Sequence, residues 1–202
     1  MLQVVFATCT TKTIDGETEI AFGLNDTLPW GRVHQDMINF RNRTNNTVMI
    51  MGAKTWESLN APLPGRRSVV VGDFLYRGIP RTKNGSVPTE VMTLKEFELF
   101  LKGDIIVTST ATAEYGWDTI VDRNIHDVSI IGGKGLIEQA VPSADLVVHT
   151  SIIKKHRVNS TVQMTREFLN MLPMTRMLKE SHWYQCDEMT QLTESVYGEF
   201  RG

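Results

Sequence analysis

Short apolar runs separated by amphipathic stretches recur along most of this chain. Leu2 to Thr8 is a mostly apolar run of the kind that forms a strand buried on both faces. Comparable runs return at Thr47 to Met51, Ser68 to Val71, Ile105 to Val107, Val128 to Ile131 and Leu146 to Ile153. Helical spacing is clearest from Val33 to Thr44, where Val33, Met37 and Phe40 share one side. Shorter helices are predicted at Lys54 to Leu59, at Leu94 to Leu101, and at Leu136 to Val141, which Pro142 halts. Another is predicted at Ala111 to Asn124, weakened by Gly116. The polar stretch Thr10 to Thr27, carrying Gly16, Gly23, Asn25 and Asp26, reads as a long loop, and loops of that length are usually functional. Met177 to Asp187 and Met189 to Tyr197 alternate as a long terminal hairpin. Strands alternating with helices, then a hairpin, predict an α/β fold: a mainly parallel sheet with an antiparallel edge.

Composition narrows the class without naming a reaction. A chain of 202 residues fills one core, so a single domain over 1–202 is expected, with room for an insertion. A net charge of −2 gives no electrostatic case for nucleic acid. The basic run Lys154-Lys155-His156-Arg157 is short, lacks aromatic interleaving and suits a solvated turn or a strand edge. No apolar run has membrane-spanning length and no signal segment opens the chain, so a cytoplasmic protein is expected. Cys9 and Cys186 belong to no disulfide framework and no metal-ligand cluster, and no metal is expected.

One residue breaks the helical pattern. Asp36 lies on the apolar stripe of the Val33 helix, three after Val33 and four before Phe40, directly after the turn Leu28-Pro29-Trp30-Gly31. An acid near a helix N-terminus is favoured by the dipole and fits a solvated surface. An acid on an apolar face fits a buried carboxylate that accepts a pair of N–H donors from a planar ligand lying between Phe40 and Trp30. Residues alone leave both readings open.

Four segments in order carry more. Leu28-Pro29-Trp30 with Asp36 and Phe40, then Met51-Gly52-Ala53-Lys54-Thr55-Trp56-Glu57-Ser58, Pro62-Leu63-Pro64-Gly65-Arg66, and Ile130-Ile131-Gly132-Gly133 together strongly resemble dihydrofolate reductase over nearly the whole chain. His156 to Thr161 and Leu192 to Tyr197 resemble the tailed-bacteriophage members, which would place the protein in a host cytoplasm. The resemblance implies a dihydrofolate-reductase-like sheet with helices on both faces. It also implies reduction of 7,8-dihydrofolate by NADPH, in support of nucleotide synthesis.

The resemblance further assigns roles. Asp36 would accept from the pterin, Trp30 would close its pocket, and Thr150 would orient the acid. Val5, Met37, Phe40, Leu59 and Ile131 would line the pocket, and Arg66 would fork onto the carboxylate of the substrate's glutamate tail. Ala7, Phe22, Gly23 and Leu28 would border the nicotinamide, beside Ile131. Gly52, Ala53, Lys54, Thr55, Gly72, Asp73, Gly132, Gly133, Lys134, Gly135 and Leu136 would hold the rest of the cofactor, with a cis peptide at the diglycine. The segment from Thr10 to Leu28 would be a mobile lid. Expected partners are dihydrofolate and antifolates, with a homodimer or a nucleotide-synthesis complex as further possibilities.

Several positions depart from the family pattern. Ala53 stands where the family is often basic and Asp73 where it often has serine, which loosens the expected preference for NADPH over NADH, although Lys54, Lys134 or Arg77 could supply the missing positive charge. Residues from about 74 to 103 read as an insertion. A fold relative reducing another pterin or pyrimidine, and a folate-binding component of an assembly, are the competing readings.

Overall fold

A computed structural model describes residues 1–110 and 119–200, with residues 76 and 77 described by their backbone alone. The chain divides into two compact units, one of Met1–Val4 with Thr44–Ala144, the other of Val5–Arg43 with Asp145–Gly202.

In the first unit a parallel ladder forms the centre. The start of β1 (Leu2–Lys12) runs parallel to β8 (Val128–Gly132), which runs parallel to β3 (Val48–Gly52). β3 in turn pairs parallel with β4 (Arg67–Val71), and β4 with β5 (Glu90–Met92). Val48 to Met51 and Ser68 to Val71 are buried without alternation, as strands covered on both faces require. The ladder closes antiparallel through β6 (Ile106–Thr110) and β7 (Thr119–Val121). Its helices are α2 (Ala53–Ser58), α3 (Phe74–Arg77), α4 (Leu94–Leu101) and α5 (Lys134–Ala140), the last followed by a 3-10 turn at Val141–Ser143. α4 begins with a capping box in which Thr93 and Glu96 satisfy each other's backbone N–H groups.

Glu90 is fully buried, and it survives there because Arg67 on β4 grips both its oxygens and the Thr108 hydroxyl on β6 donates to it. Burial alone would raise its carboxyl pKa, but these bonds outweigh it and hold the group below its ordinary range.

The second unit is antiparallel in its hairpins. β11 (Met177–Asp187) pairs with β12 (Thr190–Gly198), and β12 with β9 (Leu146–Lys154), which lies beside β1. β1 also turns back into β2 (Thr18–Gly23), and β2 pairs with β10 (Val162–Gln163). α1 (His34–Thr44) and α6 (Arg166–Thr175) are its helices, Thr44 itself falling in the first unit.

The parallel pairing of β1, β8, β3 and β4 and the terminal hairpin match the pattern read from sequence; β5, α3 and β10 went unread, and three longer segments differ. Thr10 to Thr27 is not a long loop. β1 continues to Lys12 and returns as β2, leaving a tight turn in which Thr13 and Glu17 bond each other. Leu24 and Thr27 close a second small turn, with Asn25 left-handed at φ 49°. Polar β-branched residues populate these strands, so the period-two signal is carried by Thr, Ile and Phe rather than by an apolar run. The helix expected over Ala111 to Asn124 is also corrected, because Thr119–Val121 forms β7; residues 111–118 lie outside those described. α6 was missed because Pro173 in its last turn obscures a helix whose N-cap, Thr165, accepts from the Phe168 N–H at 3.1 Å.

Candidate functional site

In the second unit the site is built on one sheet face. Side chains two apart along a strand share a face, and directly paired antiparallel residues point the same way. Ile152 pairs with Leu192, Thr150 with Glu194, and Val148 with Val196. Ile152 and Leu192 join Cys9, Trp30 and Val33 in one apolar cluster, with Ala7 packed against it. Val148 and Val196 join Val5 in another, against which Phe40 packs. α1 therefore spans the face, Val33 in the first cluster and Phe40 on the second. The row between the clusters is polar, Thr150 beside Glu194, and Asp36 lies between Val33 and Phe40 on the helix that covers it.

Asp36 is only 5% exposed. Burial pushes its carboxyl from 3.8 to about 6; the Trp30 indole opposes the shift, and the charge of Glu194 adds to it. The buried Trp30 N–H has no acceptor within direct hydrogen-bond reach, so it acts on Asp36 at longer range. Glu194, also buried, is balanced by Arg43 from the far end of α1, whose Nε and Nη2 donate to its Oε1 at 3.0 and 2.7 Å. The same Nη2 donates to Glu180 Oε2 on β11 at 2.9 Å. A carboxyl poised near neutrality on an apolar face can take a protonated or N–H-rich planar ring by two parallel bonds.

The other predicted residues of this unit fall as follows. Val5 and Thr150 are buried, Ala7, Phe22, Gly23 and Phe40 half-buried, and Met37 and Leu28 exposed at 37% and 41%.

In the first unit two strand ends meet through bare backbone. β3 ends at Gly52, where α2 begins, and β8 ends at Gly132, where α5 follows Gly133. The Gly132–Gly133 peptide is cis. A Cβ on Gly132 would stand 3.0 Å from the Thr55 hydroxyl, and one on Gly52 would stand 3.5 Å from the Gly133 nitrogen. Only glycine leaves this cradle open at Gly132, where φ is +150°. Such bare backbone suits an anionic group that approaches closely. Lys134 reaches Glu138 at 3.8 Å, Lys54 and Gly135 are exposed, and Leu136 is buried beneath them. Ile131 and Leu59 are half-buried. Arg66 is half-buried too, with its Nε donating to the Thr44 carbonyl at the end of α1 at 3.2 Å. Gly72 and Asp73 follow β4 and border a separate cavity.

Sequence reasoning missed Glu194 and Arg43. The signal for Glu194 was present: Leu192, Glu194 and Val196 alternate, placing an acid in the apolar phase of a strand. Among the described residues no cluster has the makings of a metal site, and no helix is long and apolar enough to cross a membrane.

A buried acid on an apolar sheet face and a bare-backbone cradle at parallel strand ends define an α/β protein equipped for a planar heterocycle and a phosphate-bearing cofactor. The sequence profile of dihydrofolate reductase matches residues 13–171, and the chain belongs to that family. It is 28% identical to dihydrofolate reductase type A10 of Escherichia coli over 152 residues, 75% of this chain and 70% of that protein. It is 40% identical to the dihydrofolate reductase of Mycobacterium tuberculosis over 67 residues, 30% of this chain and 41% of that one. Its fold resembles dihydrofolate reductase from Enterococcus faecalis, solved in complex with NADP(H) and RAB-propyl, with a TM-score of 0.64 and 17% identity. That match covers 100% of this chain and 97% of the other. The chain is thus a dihydrofolate reductase by family, an enzyme class that uses NADPH to reduce dihydrofolate.

Proposed function

We propose that this chain reduces 7,8-dihydrofolate to tetrahydrofolate with NADPH, and that Asp36 is the residue on which recognition turns. The observation that carries the reading is Asp36 itself, a carboxylate buried on an apolar face with its pKa raised to about 6. Its two oxygens accept from the pterin N3–H and 2-amino group, an arrangement that selects one ring edge. Phe40, Val5 and Met37 wall the ring. Arg66 forks onto the α-carboxylate of the glutamate tail, a planar task suited to guanidinium. The Trp30 N–H, buried without a protein acceptor, suits a solvent molecule beside the acid, and Thr150 orients the carboxylate.

Ala7, Phe22, Gly23 and Leu28 border the nicotinamide. The backbone of Gly52, Gly132 and Gly133, with Ala53, Thr55, Lys54, Lys134, Gly135 and Leu136 about it, receives the cofactor's diphosphate. NADPH, when bound, supplies the hydride that the pterin C6 accepts. Among the described residues no side chain is an evident acid for N5; solvent delivers that proton, while Asp36 polarises the ring and the apolar clusters exclude bulk water. When chemistry is the measured step, turnover falls as pH rises above neutral because proton supply fails.

The test is oxidation of NADPH at 340 nm with dihydrofolate, for wild type and Asp36→Asn. Rapid turnover in wild type, nearly abolished in the variant, supports the assignment. A folded wild type that turns nothing over defeats it.

A further inference from the structure

At the end of α1 the first unit buries a chain of polar side chains. Gln3 on β1 and Ser129 on β8 are partners in the parallel pairing, and both are shielded from solvent. Gln3 Nε2 donates to Ser129 Oγ at 2.8 Å. Ser129 Oγ lies 2.7 Å from Thr47 Oγ1, and the Thr47 hydroxyl donates to the Thr44 carbonyl at 3.0 Å. A hydroxyl has one proton, so the direction of the chain is set. Thr47 gives its proton to Thr44, which leaves Ser129 to donate to Thr47 and Gln3 to donate to Ser129. The chain ends on the last residue of α1, whose carbonyl also takes the Arg66 Nε at 3.2 Å. Thr44 and Thr47 are buried as well. Buried polar pairs can be exchanged for apolar groups of the same shape at little loss, so packing alone does not call for this chain.

We propose that Gln3, Ser129 and Thr47 position Arg66 for the α-carboxylate of the substrate's glutamate tail. The inference rests on the reading above that Arg66 receives that tail, and deepens it. The last carbonyls of a helix have no partner within the helix. The Thr44 oxygen has two lone pairs, and it accepts from both the Thr47 hydroxyl and the Arg66 Nε. Held by Thr47, with Ser129 and Gln3 behind it, this carbonyl is a fixed acceptor for the guanidinium. That group is a rigid planar fork, so fixing Nε fixes the plane in which all its donors lie. A carboxylate gains two parallel bonds only in that plane, and a tilted fork falls back to one. The three side chains are positioning residues that act through Arg66. Their influence therefore falls on the tail and not on the pterin ring, whose recognition belongs to Asp36.

The experiment measures Kd for folate and for its α-carboxamide, the same molecule without the α-carboxylate charge, by quenching of tryptophan fluorescence in the full chain. It compares wild type, Thr47→Val, Thr47→Ser, Ser129→Ala, Arg66→Leu, and the pair Thr47→Val with Arg66→Leu. Thr47→Val keeps the shape and removes the hydroxyl. It should weaken folate by about tenfold, the loss of one of two charge-assisted bonds, and leave the carboxamide within about twofold. Thr47→Ser returns the hydroxyl and should return folate affinity to that of wild type. Ser129→Ala removes the support behind Thr47 and should weaken folate selectively too, which keeps the test open if Thr47→Val does not fold. In the Arg66→Leu background, Thr47→Val should weaken folate no further. Equal weakening of both ligands, or lowered thermal stability with neither affinity changed, is what a merely structural chain would give, and either would overturn the inference. If Arg66→Leu weakens folate selectively while Thr47→Val and Ser129→Ala do not, the inference falls and the tail reading stands. If Arg66→Leu binds folate as wild type does, the tail reading falls and takes this one with it.

Discussion

Replacing Asp36 with asparagine should stabilise the fold at neutral pH while removing its function. The folded carboxyl has a pKa of about 6, against 3.8 for the ordinary group. At pH 8 the side chain is ionised in both folded and unfolded states, and the folded state then carries a penalty of about 3 kcal/mol. Below about pH 3 the carboxyl is protonated in both states and the penalty vanishes. Between those limits the folded chain binds the extra proton, so wild-type stability from this group falls as pH rises from 4 towards about 6. Asparagine never ionises. The stability of Asp36→Asn minus that of wild type should therefore grow by about 2 kcal/mol between pH 4.5 and 8 and level off above about pH 7. With a urea slope of about 2 kcal/mol/M, that is a change in the midpoint difference of about 1 M. Urea titrations followed by tryptophan fluorescence between pH 4.5 and 8 read it directly. A difference that does not change with pH would refute the burial argument, and with it the account of how the site is poised.

Removing Arg43 tests the other half of the polar row. Arg43→Met leaves Glu194 buried and unpaired, so unfolding should become easier by about 3 kcal/mol, and the pKa of Asp36 should rise further. A loss under about 1 kcal/mol in urea would show that Glu194 relaxes into solvent instead. Gly132→Ala should place a Cβ against the Thr55 hydroxyl at a φ that side chains avoid, destabilising by about 1–3 kcal/mol. Titration should also show weakened NADPH binding; unchanged affinity would argue that the cradle receives no phosphate.

Much of this was legible in the residues because the informative signals are local. Asp36 declares itself against Val33 and Phe40 on one helix, and the diglycine after β8 marks a backbone that must stay bare. What was lost depended on partners distant in sequence. Glu194 looks like one acid among polar strand residues until its pairing with Thr150 sets it in the row under α1. Arg43 reads as a solvated helix end until β11 and β12 supply its carboxylates. The β1–β2 hairpin escaped notice because its outer part pairs Thr10, Thr11 and Lys12 with Ile20, Glu19 and Thr18, a mixed set that hydrophobic periodicity does not record.

The bonds of Arg43 to Glu194 and Glu180 have a mechanical consequence. Arg43 stands seven residues past Asp36, about 10 Å farther along the helix axis. At the opposite end Trp30 and Val33 are sunk into an apolar cluster. Asp36 is thus the midspan of a beam supported at both ends. A helix free to slide by even an ångström would trade one oxygen of the carboxylate for the wrong edge of a ring. With both supports in place, the choice between two neighbouring edges of a planar ligand is made by the scaffold before any ligand arrives.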